Sequence, residues 1–143
     1  MILKQIPKNI SPELIKVLME MGHGDEIVLA DGNYPAASHA KHLIRCDGLS
    51  MPDLLKSILA FFPLDTYVNA AFNLMAVAPA DHFKPQIWDE YEKILNESTA
   101  ENKTIEQVER FEFYERGKKA YAIVATGEEA IYANILLRKG VVR

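Results

Sequence analysis

The stretch Gly22-His23-Gly24-Asp25-Glu26-Ile27-Val28-Leu29-Ala30-Asp31 passes from a glycine-bracketed, charged approach into four consecutive apolar residues and stops on a carboxylate. An unbroken apolar run of this length, with no polar alternation, is the pattern of a strand covered on both faces, as in a parallel sheet with helices on each side. Asp31 then falls at the carboxyl end of that strand, where ligands of open α/β sheets tend to bind.

The flanking sequence agrees. Upstream, Ser11 can accept from the first free N–H groups of a helix, Pro12 suits its first position, and Leu14, Leu18 and Met21 recur on one face before Gly22 ends it. Downstream, Ser50 and Pro52 repeat that start signal ahead of Leu54, Leu55, Ile58, Leu59 and Phe62, and Pro63 closes the helix. Phe72 to Val77 reads as another buried strand, Pro85 opens a helix carrying Trp88, Tyr91, Ile94 and Leu95, and Asn96 to Lys103 is a polar turn region. Arg110 to Lys119 fits a helix, while Tyr121 to Ala125 and Tyr132 to Leu137 fit strands separated by a turn around Gly127. The expectation is a single α/β domain over 1–143, a three-layer α/β/α arrangement around a mostly parallel central sheet.

Composition narrows the partners. The 143 residues are nearly half hydrophobic, enough for one sizeable core. A net charge of -4, with no basic cluster longer than Lys118-Lys119, argues against nucleic acid. Cys46 stands alone, which excludes an intrachain disulfide and fits a reducing compartment. No signal-peptide pattern and no run of 18 apolar residues is present, so the expected location is the cytoplasm, without a membrane partner.

His23 lies between two glycines, directly before a buried strand, which leaves its ring free to face a ligand, and Asp25 is near enough in sequence to orient it. The same residues equally spell a helix-ending glycine followed by a solvated histidine. Asp31-Gly32-Asn33-Tyr34-Pro35 offers a carboxylate, an amide and a phenol, groups that suit sugar hydroxyls, although these residue types also form ordinary turns. His39 and His42 could share a helix face and, with His23 and Asp31, suggest a metal, but a complete ligand set is missing and no metal is assigned. Cys46, beside Ile44 and Leu49, reads as a small buried hydrophobe, and Gly22-x-Gly24 lacks what a phosphate loop requires.

Four segments taken together, Gly22-His23-Gly24-Asp25, Leu29-Ala30-Asp31-x-Asn33-x-Pro35, Arg110-Phe111-x-Phe113-Tyr114-Glu115-Arg116 and Tyr132-x-Asn134-Ile135-Leu136-Leu137-x-Lys139-Gly140-Val141, closely resemble the L-fucose mutarotase and D-ribose pyranase family. The Gly-His-Gly-Asp form and the Phe-Tyr-Glu-Arg segment look like the fucose branch. The resemblance implies an isomerase acting on a free monosaccharide, L-fucose ahead of D-ribose, with His23 as proton donor. It also implies that Asp31, Arg110, Tyr114 and the segment with Tyr132 and Asn134 contact sugar, and that the chain forms pentameric rings stacked into decamers with sites at subunit boundaries. Residues 78–106 match loosely, which leaves open any contact from there. Mutarotation needs only one acid and one base, and a histidine titrating near neutrality can serve without metal or cofactor. A non-catalytic sugar-binding protein would use the same hydroxyl contacts without needing His23.

Overall fold

The computed structural model describes residues 2–143. Strands β1 (Glu26–Ala30), β2 (Leu43–Cys46), β3 (Phe72–Met75), β4 (Ile105–Val108), β5 (Ala122–Thr126) and β6 (Ile135–Arg138) form one sheet in the order β2-β5-β1-β6-β3-β4. β6 runs antiparallel to both β1 and β3, and the remaining pairs are parallel, so five strands share one direction. The sheet is mostly parallel, as expected. β5 and β6 do not pair with each other, because β1 lies between them.

The helices are α1 (Pro12–Glu20), α2 (Ala36–His39), α3 (Met51–Leu59), α4 (Ile87–Glu97) and α5 (Arg110–Lys119). Alternate side chains of β1 feed two cores. Ile27 and Leu29 pack with Leu14 and Leu18 of α1, Leu54, Leu55 and Ile58 of α3, and Tyr91 and Leu95 of α4. Val28 and Ala30 pack on the other face with Phe113 of α5, Ala36 of α2, Met75 and Leu136. Period-two alternation within a fully buried strand thus produces the three layers.

Several start and stop signals act as read and others differently. Ser11 accepts from Leu14 N–H at 3.1 Å. Ser50 precedes α3 but makes no such bond; the Glu128 carboxylate, from beyond β5, accepts from Met51 N–H at 3.0 Å instead. α1 ends at an extended Met21 before Gly22 is reached, and its carbonyls are met by Lys139 Nζ, which donates to Leu18 and Met21. The strand read to Val77 stops at Met75, and the helix read from Pro85 begins at Ile87. Tyr132 to Asn134 lie outside β6, and Tyr132 adopts a left-handed φ of 56°.

Because β6 opposes its neighbours, the segment entering it meets the exits of β1 and β3, and the segment leaving it meets the entrance to β1. Polar residues from distant parts of the chain therefore gather at both ends of β1.

Candidate functional site

At the carboxyl ends of the parallel strands lies a cavity of about 280 Å³, near the lower limit of small-molecule pockets. Asp31, Arg110, Tyr114, Tyr132 and Asn134 all line it, together with Asn33, Tyr34, Met75, Asp81 and Ile131. The groove of about 340 Å³ between α3 and α4 presents a largely apolar surface, and a hollow of about 380 Å³ bordered by Asn73, Glu106, Glu112, Arg116 and Arg138 is polar but holds none of the five residues expected to contact sugar.

Asp31 is nearly enclosed, 4% exposed. Its Oδ1 accepts from Asn33 N–H at 3.0 Å and its Oδ2 from Ala133 N–H at 3.2 Å, while its own N–H donates to Asn134 Oδ1 at 2.8 Å. These bonds tie the exit of β1 to the entrance of β6. Burial raises the carboxyl above its ordinary value, although the N–H groups of Asn33, Ala133 and Tyr34 oppose that rise. Behind it, the buried Tyr91 hydroxyl donates to Ala133 C=O at 2.7 Å and Trp88 Nε1 donates to Tyr132 C=O at 2.8 Å. α4 thereby fixes the backbone of the Tyr132–Asn134 segment.

Arg110 and Tyr114 sit one helical turn apart at the start of α5, a spacing that puts both on the cavity side. Phe113 anchors the helix in the core, the Glu109 carboxylate caps it by accepting from Glu112 N–H at 3.0 Å, and Arg116 pairs with Glu26 of β1. Gly117 leaves room on α5 for the Tyr34 hydroxyl, which a Cβ at this position would meet. No carboxylate pairs with Arg110 among the described residues, and its guanidinium lies 4.7 Å from the exposed Phe111 ring.

His23 does not reach this cavity. It stands at the other end of β1, half exposed, with Nε2 3.1 Å from Asp65 Oδ1. Asp65 is 1% exposed and also accepts from Tyr67 N–H at 3.0 Å and from Arg138 Nε at 3.0 Å. Burial opposes its charge, but Tyr67 N–H, Arg138 and His23 together hold the carboxyl below its ordinary value. An ionised carboxylate only accepts, so the proton on Nε2 is directed to Asp65 and Nδ1 becomes the nitrogen free for exchange. Gly24, at φ 89°, makes the turn that joins His23 to β1.

Asp25 is therefore not the group that orients the ring: its Oδ2 accepts from Gly22 N–H at 2.7 Å, a bond that closes the turn. Proximity in sequence pointed to Asp25, whereas the structure brings in Asp65, 42 residues away. The one signal for Asp65 is a lone acid in the apolar stretch Phe61-Phe62-Pro63-Leu64-Asp65. His39 and His42 do not share a helix face. α2 ends at His39, whose ring packs edge-on against Tyr34 and Tyr114, while His42 lies beside Tyr121.

Residues 4–142 match the RbsD / FucU transport protein family. A fucose mutarotase from Mus musculus is 52% identical over 144 residues, covering 96% of this chain and 94% of that protein. The crystal structure of a fucose mutarotase from Streptococcus pneumoniae in complex with L-fucose superposes with a TM-score of 0.94 at 59% identity, covering 99% of this chain and 100% of that one. RbsD of Bacillus subtilis complexed with D-ribose superposes with a TM-score of 0.73 at 26% identity, covering 94% and 95%.

Proposed function

The chain belongs to the RbsD / FucU transport protein family, and we propose from that premise that it interconverts the α and β anomers of free L-fucose. It is a carbohydrate isomerase. The observation that carries the choice of sugar is the near-complete match, at 59% identity, to a fucose mutarotase solved with L-fucose, against 26% for the ribose-bound relative. The cavity chemistry agrees: carboxylate, amide, guanidinium and phenol groups both donate to and accept from hydroxyls, and aromatic rings can cover the apolar face of a pyranose.

In the proposed reaction the His23 imidazolium gives the Nδ1 proton to the ring oxygen as the bond from that oxygen to the anomeric carbon breaks. The anomeric hydroxyl gives up its proton to solvent, leaving the open aldehyde. Rotation of the aldehyde and the reverse transfers close the ring on its other face. Asp65 keeps the imidazole in the useful tautomer, and acid–base help of this kind contributes roughly 10²–10⁴-fold. Asp31, Arg110, Tyr114, Tyr132 and Asn134 hold the sugar.

His23 and that cavity lie at opposite ends of β1, so the working site in this reading joins His23 of one copy to the cavity of another. Exposed apolar residues at both ends support this: Tyr67 packs against His23 with ring centroids 5.2 Å apart, and Phe111 and Ile131 sit beside the cavity. Contact between two different surfaces is heterologous, the type that builds a closed ring when the rotation between neighbours closes, in keeping with the pentameric rings and decamer that the family resemblance implies. We read residues 1–143 as one domain, supported by a sheet that takes strands from both halves of the chain. The cytoplasm is its proposed compartment, supported by the buried free thiol of Cys46; no helix among the described residues is long and apolar enough to cross a membrane.

Saturation-transfer NMR of the anomeric protons tests the function. Catalytic amounts of protein should accelerate exchange in L-fucose more than in D-ribose. Preference for ribose would make it a pyranase, and sugar binding without exchange would make it a binding protein.

A further inference from the structure

Between β3 and α4 the chain makes an irregular excursion over residues 76–86, and this excursion is built onto Tyr132. It is held locally: Asp81 N–H donates to Ala78 C=O at 2.9 Å, Phe83 N–H donates to Asp81 Oδ1 at 3.0 Å, and Pro79 and Pro85 restrict the backbone at either side. From it, Ala78 N–H donates to the Tyr132 hydroxyl oxygen at 3.3 Å, and that hydroxyl lies 3.4 Å from Asp81 Oδ2. The Phe83 ring stacks on the Tyr132 ring, with centroids 6.2 Å apart and planes 29° apart. Asp81 and Tyr132 line the same cavity as Asp31 and Arg110.

A phenol has one proton to give and two lone pairs to offer. Ala78 N–H occupies one lone pair, and the Asp81 carboxylate, an acceptor only, draws the proton. What remains for a ligand is a single acceptor in a set direction. We propose that Asp81 is a positioning residue: it fixes the Tyr132 hydroxyl as an acceptor toward the sugar, so that the cavity favours a sugar presenting a hydroxyl donor there. The proposal rests on the reading of the cavity as the L-fucose site. It assigns substrate selection to a segment outside the four motifs, and it separates Asp81, which acts through Tyr132, from Asp31, which organises the backbone.

The test is a double-mutant cycle on the full protein, with KM and kcat for L-fucose exchange measured in wild type, Asp81→Ala, Asp81→Asn, Tyr132→Phe and the Asp81→Ala/Tyr132→Phe pair. Asp81→Ala should raise KM about tenfold, as for one lost hydrogen bond, with kcat within about threefold. Asp81→Asn keeps a carbonyl acceptor and should recover most of the affinity. In the Tyr132→Phe background, Asp81→Ala should have no further effect. An undiminished KM effect in that background, or a folded Asp81→Ala protein with wild-type KM, overturns the proposal. Should Asp81→Ala fail to fold, Asp81→Asn decides: loss of affinity as large as that in Tyr132→Phe also overturns it. Wild type that accelerates no fucose exchange would first overturn the function reading itself, and the two failures are distinguished by that arm.

Discussion

His23 and Asp31 stand at opposite ends of the same strand: His23 precedes β1 and bonds Asp65 beside Arg138, whereas Asp31 follows β1 and bonds Asn134. Five extended residues span about 17 Å, so one chain cannot bring its own His23 to a sugar held at its own Asp31. Each molecule presents an imidazole–carboxylate pair at one end of β1 and a polar cavity at the other, the two halves of the proposed shared site. The antiparallel course of β6 supplies both, with Asn134 at one end and Arg138 at the other.

Removing the imidazole should stop the chemistry and leave the fold. His23→Ala is expected to lower the catalysed exchange rate by roughly 10²–10⁴-fold with an unchanged melting temperature, since His23 is half exposed and fills no core. Saturation-transfer NMR and a thermal melt check this together; a folded variant at wild-type rate removes His23 from the mechanism.

Asp65 is expected to link the exchange rate to acid stability. Its carboxyl is held below its ordinary value, so the stability it contributes is present in full above about pH 4 and is lost as pH falls through the lowered value. Asp65→Asn should lack that acid-side loss, and at neutral pH it should be less stable than wild type by about 1–3 kcal/mol because Arg138 and Tyr67 N–H lose a charged acceptor. Its exchange rate should fall at the same time. Denaturant melts between pH 2.5 and 7 read the slope; identical pH profiles in the two proteins would contradict this role.

The two polar residues expected to hold sugar should separate on stability. Asp31 satisfies two backbone N–H groups inside the protein, so Asp31→Ala should destabilise by about 2–4 kcal/mol as well as weaken binding. Arg110 has no bonded partner among the described residues, and Arg110→Ala should raise KM for L-fucose with a melting temperature unchanged. Calorimetric melts alongside titration with fucose distinguish them; equal destabilisation would remove the distinction.

Much of this was legible in the sequence, and the parts that were not share physical causes. β1 showed itself because a strand buried on both faces must be continuously apolar. β2 and β4 escaped because they are the two edge strands, four residues each. Arg45, Glu106 and Gln107 point to solvent there and break any apolar run. Tyr132 read as strand because aromatic residues favour strands, while its left-handed backbone is held by Trp88 and Asp31 from elsewhere. Asp25 is the carboxylate beside His23 in sequence, whereas the pairing with Asp65 spans 42 residues and leaves no local signature. The separation of His23 from Asp31 follows from strand direction: eight positions apart along the chain, in an extended strand, means opposite ends.

Tyr91 offers a test of the backbone scaffold. Its enclosed hydroxyl is the donor to Ala133 C=O, so Tyr91→Phe should cost about 1–3 kcal/mol and raise KM through a loosened Tyr132–Asn134 segment, with His23 untouched. Hydrogen exchange at Ala133 N–H should quicken in parallel. Unaltered exchange and KM would mean that Trp88 and Asp31 suffice.

The most direct measurement is subunit complementation between His23→Ala and Arg110→Ala, each expected to show strongly reduced exchange by itself at a fucose concentration well below KM. The two proteins are unfolded together, refolded as mixed assemblies, and followed by saturation-transfer NMR of L-fucose. Random mixing of subunits in a heterologous ring leaves about a quarter of the boundaries with an intact His23 facing an intact Arg110, so roughly a quarter of wild-type activity should return. Mixed assemblies, verified by mass, that recover no exchange would contradict a site shared between two copies.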